Sequence, residues 1–389
     1  MNDLLYSAEN TVDESHGARL TIDVGALVDN WRTVRKLSSP ARCSAVVKAD
    51  GYGLGTEAVS TALYDAGCRD FFVATAHEGA LVRRHAPDAR IFVMNCLLPG
   101  IEAVCRTHAL VPVLASMAHV AHWTSACVAN GDHPCALQVD TGMNRLGITV
   151  AEALALSGDV TRPHGFSPVL VMSHLACADE PDHPHNEFQL DGFRRVAAAF
   201  EGVETSLSNS AGILLGADYR FDLTRPGIAL YGGAVGHHVG ATTKPVVKAE
   251  TRILTIRKAQ RGEKVGYGAA QTLDRDSRIA VCSIGYADGY LRALSGAGVS
   301  LRAHQARGAH AHAHGMDLPV LGRVTMDLTA FDITDLPDGL LKPGDFIELF
   351  GSNIALDDVA LAGGTIGYEL LTAMGSRYHR VYVNGQRQD

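Results

Sequence analysis

The chain has 389 residues, of which 47% are hydrophobic and 20% charged. That balance belongs to a folded globular protein and excludes global disorder, and the length favours two domains over one. The formal net charge of -8, from 34 Lys and Arg against 42 Asp and Glu, argues against a protein that coats nucleic acid or anionic membrane.

The opening segment MNDLLYSAENTVDESHGA has no basic stretch followed by an apolar one, so residues 1–17 read as a polar tail and not an export signal. No apolar run in the chain is long enough to span a bilayer. The eight cysteines, at positions 43, 68, 96, 105, 127, 135, 177 and 282, contain no CxxC pair. Reduced, buried thiols in a cytoplasmic protein are the simplest reading.

Residues 18–24 alternate like a strand. Short β-rich apolar runs then recur at 45–47, 71–74, 91–94, 111–114, 137–139, 169–172, 205–207 and 228–231, as strands buried on both faces require. Amphipathic stretches stand at 26–37, 56–64 and 186–200. This rhythm of about eight β/α units predicts an N-terminal (β/α)8 barrel over 18–241, a fold that takes roughly 250 residues. An open doubly wound sheet satisfies the same pattern.

Beyond residue 241 the texture changes. Strands are predicted at 252–256, 278–284, 319–333 and 345–350, separated by Gly, Pro and Asp turns, so 242–389 reads as a mainly β domain. The pair Lys244-Pro245 marks a linker, and the strand at 18–24 is a candidate to pair with this second domain.

Several chemistries are excluded by spacing. There is no GxxxxGK[ST] loop, Gly51, Gly53 and Gly55 are spaced GxGxG and not GxGxxG, and His77, Glu78 and His85 miss the HExxH pattern. His310, His312 and His314 alternate in an Ala/Gly/His-rich stretch at 304–314 without a carboxylate or cysteine at matching spacing, which reads as an exposed loop. Asp182, His183 and His185, interspersed with Pro, also read as a polar loop. No metal site is expected.

The strongest local signal is AVVKADGYG at 45–53, where Lys48 ends a buried strand and meets a glycine-rich turn. At the C-terminal mouth of a barrel, where catalytic groups sit, apolar surroundings lower a lysine pKa and free its amine for Schiff-base chemistry. Other strand ends carry polar residues that would share the same rim: Arg145 after Asp140-Thr141-Gly142-Met143, His174, Asn209 with Ser210, and Arg225 before Pro226-Gly227. Each alone has an ordinary structural explanation, such as a cap, a turn former or a core histidine. Their convergence is harder to explain that way.

These residues also carry a family resemblance. The chain resembles bacterial alanine racemase, a pyridoxal phosphate enzyme of fold type III with a (β/α)8 barrel followed by a β domain. AVVKADGYG is followed in the family's order by VDTGMNRLG, SHLACADE, SNSAG, TRPGIALYGG, VGYG, IGYADGY, GRVTMD and TIGYELL, from about Arg19 to Val383. The resemblance implies that Lys48 binds pyridoxal 5'-phosphate as a Schiff base and serves as one catalytic base. Tyr267, supplied by the partner subunit of a homodimer with shared active sites, is implied as the second base. It implies that Arg225 faces the pyridine nitrogen, with His174 beside the ring. Tyr52, Asn209, Ser210, Tyr368 and the backbone of Gly227 and Ile228 are implied as the rest of the cofactor site, most of them as a phosphate cradle. Arg145 and Met326 match groups near the substrate carboxylate, and Tyr286 resembles a tyrosine at the entryway.

Racemisation must remove the α-proton from one face and return a proton to the other, and a lysine and a tyrosine on opposite faces do this directly. An arginine at the ring nitrogen donates a hydrogen bond without giving up its proton, which limits a long-lived carbanion and side reactions such as transamination. The sequence departs from the family at Gln138, where many members carry a lysine modified to a carbamate. A glutamine cannot be carbamylated, but its carbonyl is able to hold Arg145 through a neutral hydrogen bond. Ala269 and Gly367 also replace residues frequent in the family, while Asn144 looks peripheral. The expected activity is interconversion of L- and D-alanine, supplying D-alanine for peptidoglycan or degrading it. A serine or broad-specificity racemase on the same scaffold is the alternative, and a non-catalytic cofactor carrier is the rival from another class.

Overall fold

Strands rich in β-branched and aromatic residues, each followed by a helix, can bury both faces only in a parallel sheet with helices outside. The computed structural model, which describes residues 15–95, 98, 100–158, 163–236, 243–296, 299 and 308–385, builds this arrangement in the first half of the chain. Most of the polar tail expected at 1–17, and residues 304–307 of the His-rich stretch, lie outside the described residues. The chain divides into two compact units, one of Leu27–Thr243 and one drawn from the segments before and after it.

In the first unit a continuous parallel sheet runs Ala45–Val46, Asp70–Val73, Arg90–Val93, Val111–Leu114, Cys135–Asp140, Pro168–Met172 and Glu204–Ser206. The ring closes through Leu223–Thr224, which pairs in parallel with Arg42–Cys43, the leading half of the first strand. On its other side the closing segment bonds to the seventh strand and its extension, with Asp222 N–H donating to the Thr205 carbonyl at 3.1 Å and Arg225 N–H to that of Ser208 at 2.9 Å. Eight parallel strands thus enclose the interior of a (β/α)8 barrel.

The run at 228–231, expected as the last strand, is a 3-10 turn, Ile228–Tyr231. All four of its residues are buried, so apolar content alone could not tell it from a strand. The true eighth strand is only the two residues Leu223–Thr224.

Three layers fill the barrel along its axis. At the N-terminal end stand Arg42, Asp70, Arg90 and Glu204, each the first residue of its strand. Arg42 reaches Asp70 at 3.5 Å and Glu204 at 2.8 Å, while Arg90 reaches Asp70 at 2.6 Å and Glu204 at 2.8 Å. Above them Phe72 and Phe92 stack with centroids 4.6 Å apart. Above these, the Arg225 guanidinium lies 5.9 Å from the Phe72 ring centre.

The second unit is a closed antiparallel barrel. Its strands follow the order Ser277–Cys282, Thr329–Asp332, Met316–Leu321, His310–Ala313, Phe346–Phe350 and Val247–Ala259, which returns to Ser277–Cys282. Ala18–Asp23 adds to Val247–Ala259 in antiparallel sense, and Tyr378–Val383 adds to Ala18–Asp23 in parallel. The stretch expected as one strand at 319–333 is two strands. Between them Gly322 adopts φ 67°, where a Cβ would lie 2.9 Å from the Val265 carbonyl oxygen, a site for glycine alone. Two helices, Leu356–Ala362 and Gly367–Ala373, complete the unit. The expectation of an exposed loop at 304–314 is corrected over its described part, because His310–Ala313 is a strand paired with Met316–Leu321. Asp317 of that hairpin stands 3.0 Å from His312 Nδ1, the carboxylate that linear spacing did not reveal.

The free thiols of Cys43, Cys68, Cys105, Cys127, Cys135 and Cys282 are buried and that of Cys177 is half-buried. Among the described residues no helix is long and apolar enough to cross a membrane, and no group of three His, Cys, Asp or Glu is arranged to hold a metal ion.

Candidate active site

Five consecutive residues after the first strand turn left-handed: Ala49 (φ 53°), Asp50 (54°), Gly51 (60°), Tyr52 (57°) and Gly53 (81°). Glycine adopts this conformation freely, whereas each of the other three pays about 1 kcal/mol. Side-chain hydrogen bonds, one set from within the turn and one from a flanking helix, offset that cost. Asp50 Oδ1 accepts from the Thr56 N–H at 2.7 Å and from its hydroxyl at 2.9 Å. Glu78 accepts from Ala49 N–H at 2.8 Å with one oxygen and from Ala74 N–H at 2.8 Å with the other. The turn carries Lys48 at its start and folds Tyr52 inward, where its ring stacks on Tyr231 at 4.3 Å. Tyr231 is anchored by donating its hydroxyl to the Val46 carbonyl at 3.0 Å.

Lys48 is half-buried. Burial holds its amine below the usual lysine pKa, the Arg145 cation adds to the shift, and Glu78 opposes it. His174 follows the Pro168–Met172 strand. Burial, with the cations Arg225, Arg145 and Lys48 around it, pushes its imidazole down to about 3, so it is neutral at physiological pH. Gln189 fixes the backbone here by donating to the His174 carbonyl at 2.9 Å and accepting from Ala176 N–H at 2.8 Å.

Arg225 is 3% exposed. Its guanidinium donates to the Ser206 hydroxyl and to the carbonyls of Ser173 and Leu207. These partners are all neutral oxygens. Burial pulls its pKa down to about 9, which still leaves it charged at neutral pH.

Ser210 does not cap a helix of its own. Its hydroxyl oxygen accepts from Gly227 N–H at 2.9 Å and Ala229 N–H at 3.4 Å, at the head of the Ile228–Tyr231 turn. A Cβ at Gly227 would lie 2.2 Å from the Tyr52 hydroxyl oxygen, so only glycine lets tyrosine, serine and backbone share this space. Asn209 pairs with Arg225 through a backbone bridge, and its side chain accepts from Gly212 N–H at 2.9 Å.

Arg145 is exposed, and its backbone N–H donates to Asp140 at 3.2 Å. Gln138 is buried at 8% exposure. The structure shows no hydrogen bond between Gln138 and Arg145, which corrects the expectation that the glutamine carbonyl holds the arginine. The barrel unit therefore gathers Lys48, Tyr52, His174, Asn209, Ser210, Arg225, Gly227 and Ile228 at the C-terminal ends of its strands, with Arg145 on the loop after Cys135–Asp140.

The other four expected residues lie on the β unit and are exposed: Tyr267 (73%), Met326 (54%), Tyr286 (43%) and Tyr368 (40%). Tyr267 sits between Gly266 (φ 73°) and Gly268 (φ 71°). Tyr286 and Met326 are held close, with Tyr286 N–H donating to the Thr325 carbonyl and Ala287 N–H to that of Met326, both at 3.0 Å. Gly285 makes that approach possible, since a Cβ there would lie 2.3 Å from the Met326 carbonyl oxygen. Sequence reading met Glu78 only in the failed HExxH spacing, while the structure makes it the third residue of the Ala76–His85 helix, in a capping box with Thr75.

Two family models match the chain: the alanine racemase N-terminal domain over residues 22–235 and the alanine racemase C-terminal domain over 246–382. A biosynthetic alanine racemase of Agrobacterium fabrum is 56% identical over 375 residues, 96% of this chain and 96% of that protein. An alanine racemase of Rhizobium meliloti is 56% identical over 371 residues, 95% of this chain and 98% of its own. The crystal structure of alanine racemase from Bartonella henselae with covalently bound pyridoxal phosphate superposes with a TM-score of 0.86 at 38% identity, covering 94% of this chain and 99% of that one. With both domain models matched and relatives sharing more than half of its residues along almost its whole length, this chain belongs to the alanine racemase family.

Proposed function

We propose that this chain interconverts L- and D-alanine with pyridoxal phosphate as cofactor, acting as a cytoplasmic homodimer whose sites are shared between copies. The observation that carries this reading is a lysine amine held below its ordinary pKa at the same barrel mouth as a buried arginine bonded to neutral oxygens. The 56% identity to the biosynthetic alanine racemase of Agrobacterium fabrum favours supply of D-alanine over its breakdown.

The residues fit that cofactor. Tyr52, Ser210 and the Gly227–Ile228 backbone would hold its phosphate, in the space that glycine at 227 leaves open. Asn209 would brace Arg225, and Tyr368 would add a hydroxyl. Arg225 would donate to the pyridine nitrogen, and its charge at neutral pH makes it a donor without a proton to spare. His174, neutral at that pH, would pack beside the ring without adding a cation. When bound, pyridoxal phosphate supplies the electron sink that makes the α-C–H acidic.

Lys48 would then take or return the α-proton at Nζ on one face, helped by burial and Arg145, which favour its free amine. Tyr267 of a second copy would do the same at its hydroxyl on the other face. The exposure of Tyr267 and Met326, at 73% and 54%, supports a second copy covering them, since large side chains left in water at a site mark interfaces. Arg145 and Met326 would meet the substrate carboxylate, and Tyr286 would line the way in.

The test is proton NMR in heavy water. Loss of the α-proton signal of L-alanine, much slower for L-serine and a longer amino acid, is the expected result. Comparable loss with serine would favour the broader racemase and point to Gln138. No loss with any amino acid, from protein that carries the colour of bound cofactor, would overturn the racemase reading.

A further inference from the structure

We propose that Glu78 is the positioning residue for Lys48: its carboxylate fixes the left-handed turn that carries the lysine. This rests on the reading of Lys48 as a base.

The geometry is specific. One carboxylate oxygen accepts from Ala49 N–H at 2.8 Å, the residue directly after Lys48. The other accepts from Ala74 N–H at 2.8 Å and Thr75 N–H at 3.1 Å, at the end of the neighbouring Asp70–Val73 strand. A capping box needs only the Thr75 bond. The bonds to Ala49 and Ala74 go beyond it and tie two adjacent strand ends through one side chain. The tied turn is the segment in which Ala49, Asp50 and Tyr52 hold positive φ, a conformation that persists only when its surroundings over-determine it. If Ala49 is released, both Lys48 and Tyr52 lose their fixed direction.

The charge matters separately. Around the Lys48 amine stand Arg145 on the loop after Cys135–Asp140, His174 after Pro168–Met172 and Glu78 on the Ala76–His85 helix. His174 is neutral and Arg145 favours the free amine, so Glu78 is the group that favours the protonated form. A base that must both take and give back a proton needs a pKa neither too high nor too low, and Glu78 provides the counterweight.

The experiment compares holoenzymes carrying Glu78→Gln and Glu78→Asp, with Thr75→Ala as control. Glutamine keeps one acceptor and removes the charge. Its kcat is expected to fall about 10- to 100-fold, as small misplacement of a reacting group does. The acid limb of its pH profile should move to lower pH. The isotope effect with α-deuterated alanine should rise in the one direction in which Lys48 removes the proton. The loaded protein should also lose its cofactor colour to hydroxylamine faster than wild type. Aspartate keeps the charge at shorter reach, so kcat and that same one-directional isotope effect should change while the acid limb stays. Thr75→Ala should change neither.

An acid limb and isotope effects at wild-type values in Glu78→Gln, with loss of rate that merely follows loss of folded protein, would overturn the proposal. If Glu78→Gln does not fold, Glu78→Asp decides, and wild-type isotope effects in both directions would overturn it. A wild-type enzyme inert toward alanine would instead be the failure of the racemase reading.

Discussion

At the N-terminal ends of the barrel strands, Arg42, Asp70, Arg90 and Glu204 close a ring of ion pairs that sums to zero charge. At the C-terminal ends, Lys48, Arg145, His174 and Arg225 face one another, and Glu78 is the anion that bears on Lys48. The same eight strands support both arrangements, with the stacked Phe72 and Phe92 between them. In the ring each charge has two partners of opposite sign, so little is left to attract a ligand. At the other end the positive groups disfavour one another. Burial first, and then these cations, lower the pKa of His174, and burial and then Arg145 lower that of Lys48, which leaves a demand for anionic groups that a phosphate and a carboxylate would satisfy. Conserving the fold and performing the chemistry are thus assigned to opposite ends of one barrel.

The largest effect should come from the charged end. Lys48→Ala is expected to lower racemisation by at least about 10³-fold, the scale of losing a positioned base and nucleophile. Its thermal midpoint should stay close to wild type, because the residue is half-buried and its charge is disfavoured where it stands. Retention of more than a tenth of wild-type activity in a coupled D-alanine assay would break the division between the two ends.

The complementary change is Asp70→Asn. Asp70 is 7% exposed in its side chain and meets both arginines, of which Arg42 is half in water and Arg90 a third. Leaving them under-neutralised should cost about 2 kcal/mol of stability, less than for a fully buried pair because water screens Arg42. Chemical denaturation should report that loss while kcat stays within error of wild type. A fall in kcat without a fall in stability would show that the ring reaches the site through the phenylalanine layer.

The smallest effect sharpens the comparison through pH. His174 has a folded-state pKa of about 3, below the ordinary histidine value of 6.5. The unfolded chain therefore binds the extra proton first, and stability falls as pH drops from about 6.5 toward about 3. His174→Gln should flatten this part of the curve, measured as urea midpoints at pH 7 and pH 5. Parallel curves for both proteins would mean that His174 is not desolvated as described.

How much of this was legible from residues follows from how far apart the interacting groups lie in the chain. The common location of Lys48, Arg145, His174, Asn209, Ser210 and Arg225 at one barrel mouth was legible because each follows a strand marked by its own local pattern, whereas Tyr52 was implied only by the family resemblance. The (β/α)8 barrel and the β domain were readable for the same reason, from strand spacing and from the loss of helical periodicity. The closing strand was misread because Ile228–Tyr231 is fully buried in a 3-10 turn, and burial leaves the same apolar imprint on turn and strand. The ion-pair ring was not seen because its members, Arg42 and Glu204 among them, are joined only by barrel closure. Glu78 was met only in a failed HExxH match, because its bonds to Ala49 and Ala74 form only once adjacent barrel strands stand side by side. The His310–Asp317 hairpin was read as a loop because alanine and histidine are weak strand formers, and pairing with Met316–Leu321 overrides that preference.

The strand Ala18–Asp23 has a further consequence for how the chain is made. It lies between Val247–Ala259 and Tyr378–Val383, so its two hydrogen-bonding edges are filled by segments translated long after it. On a ribosome, the barrel can be complete once Arg225 has emerged, while this early strand still waits with both edges bare. Its second edge is covered only when Tyr378–Val383 has left the tunnel. A nascent chain therefore carries an adhesive segment until Tyr378–Val383 arrives to cover its second edge.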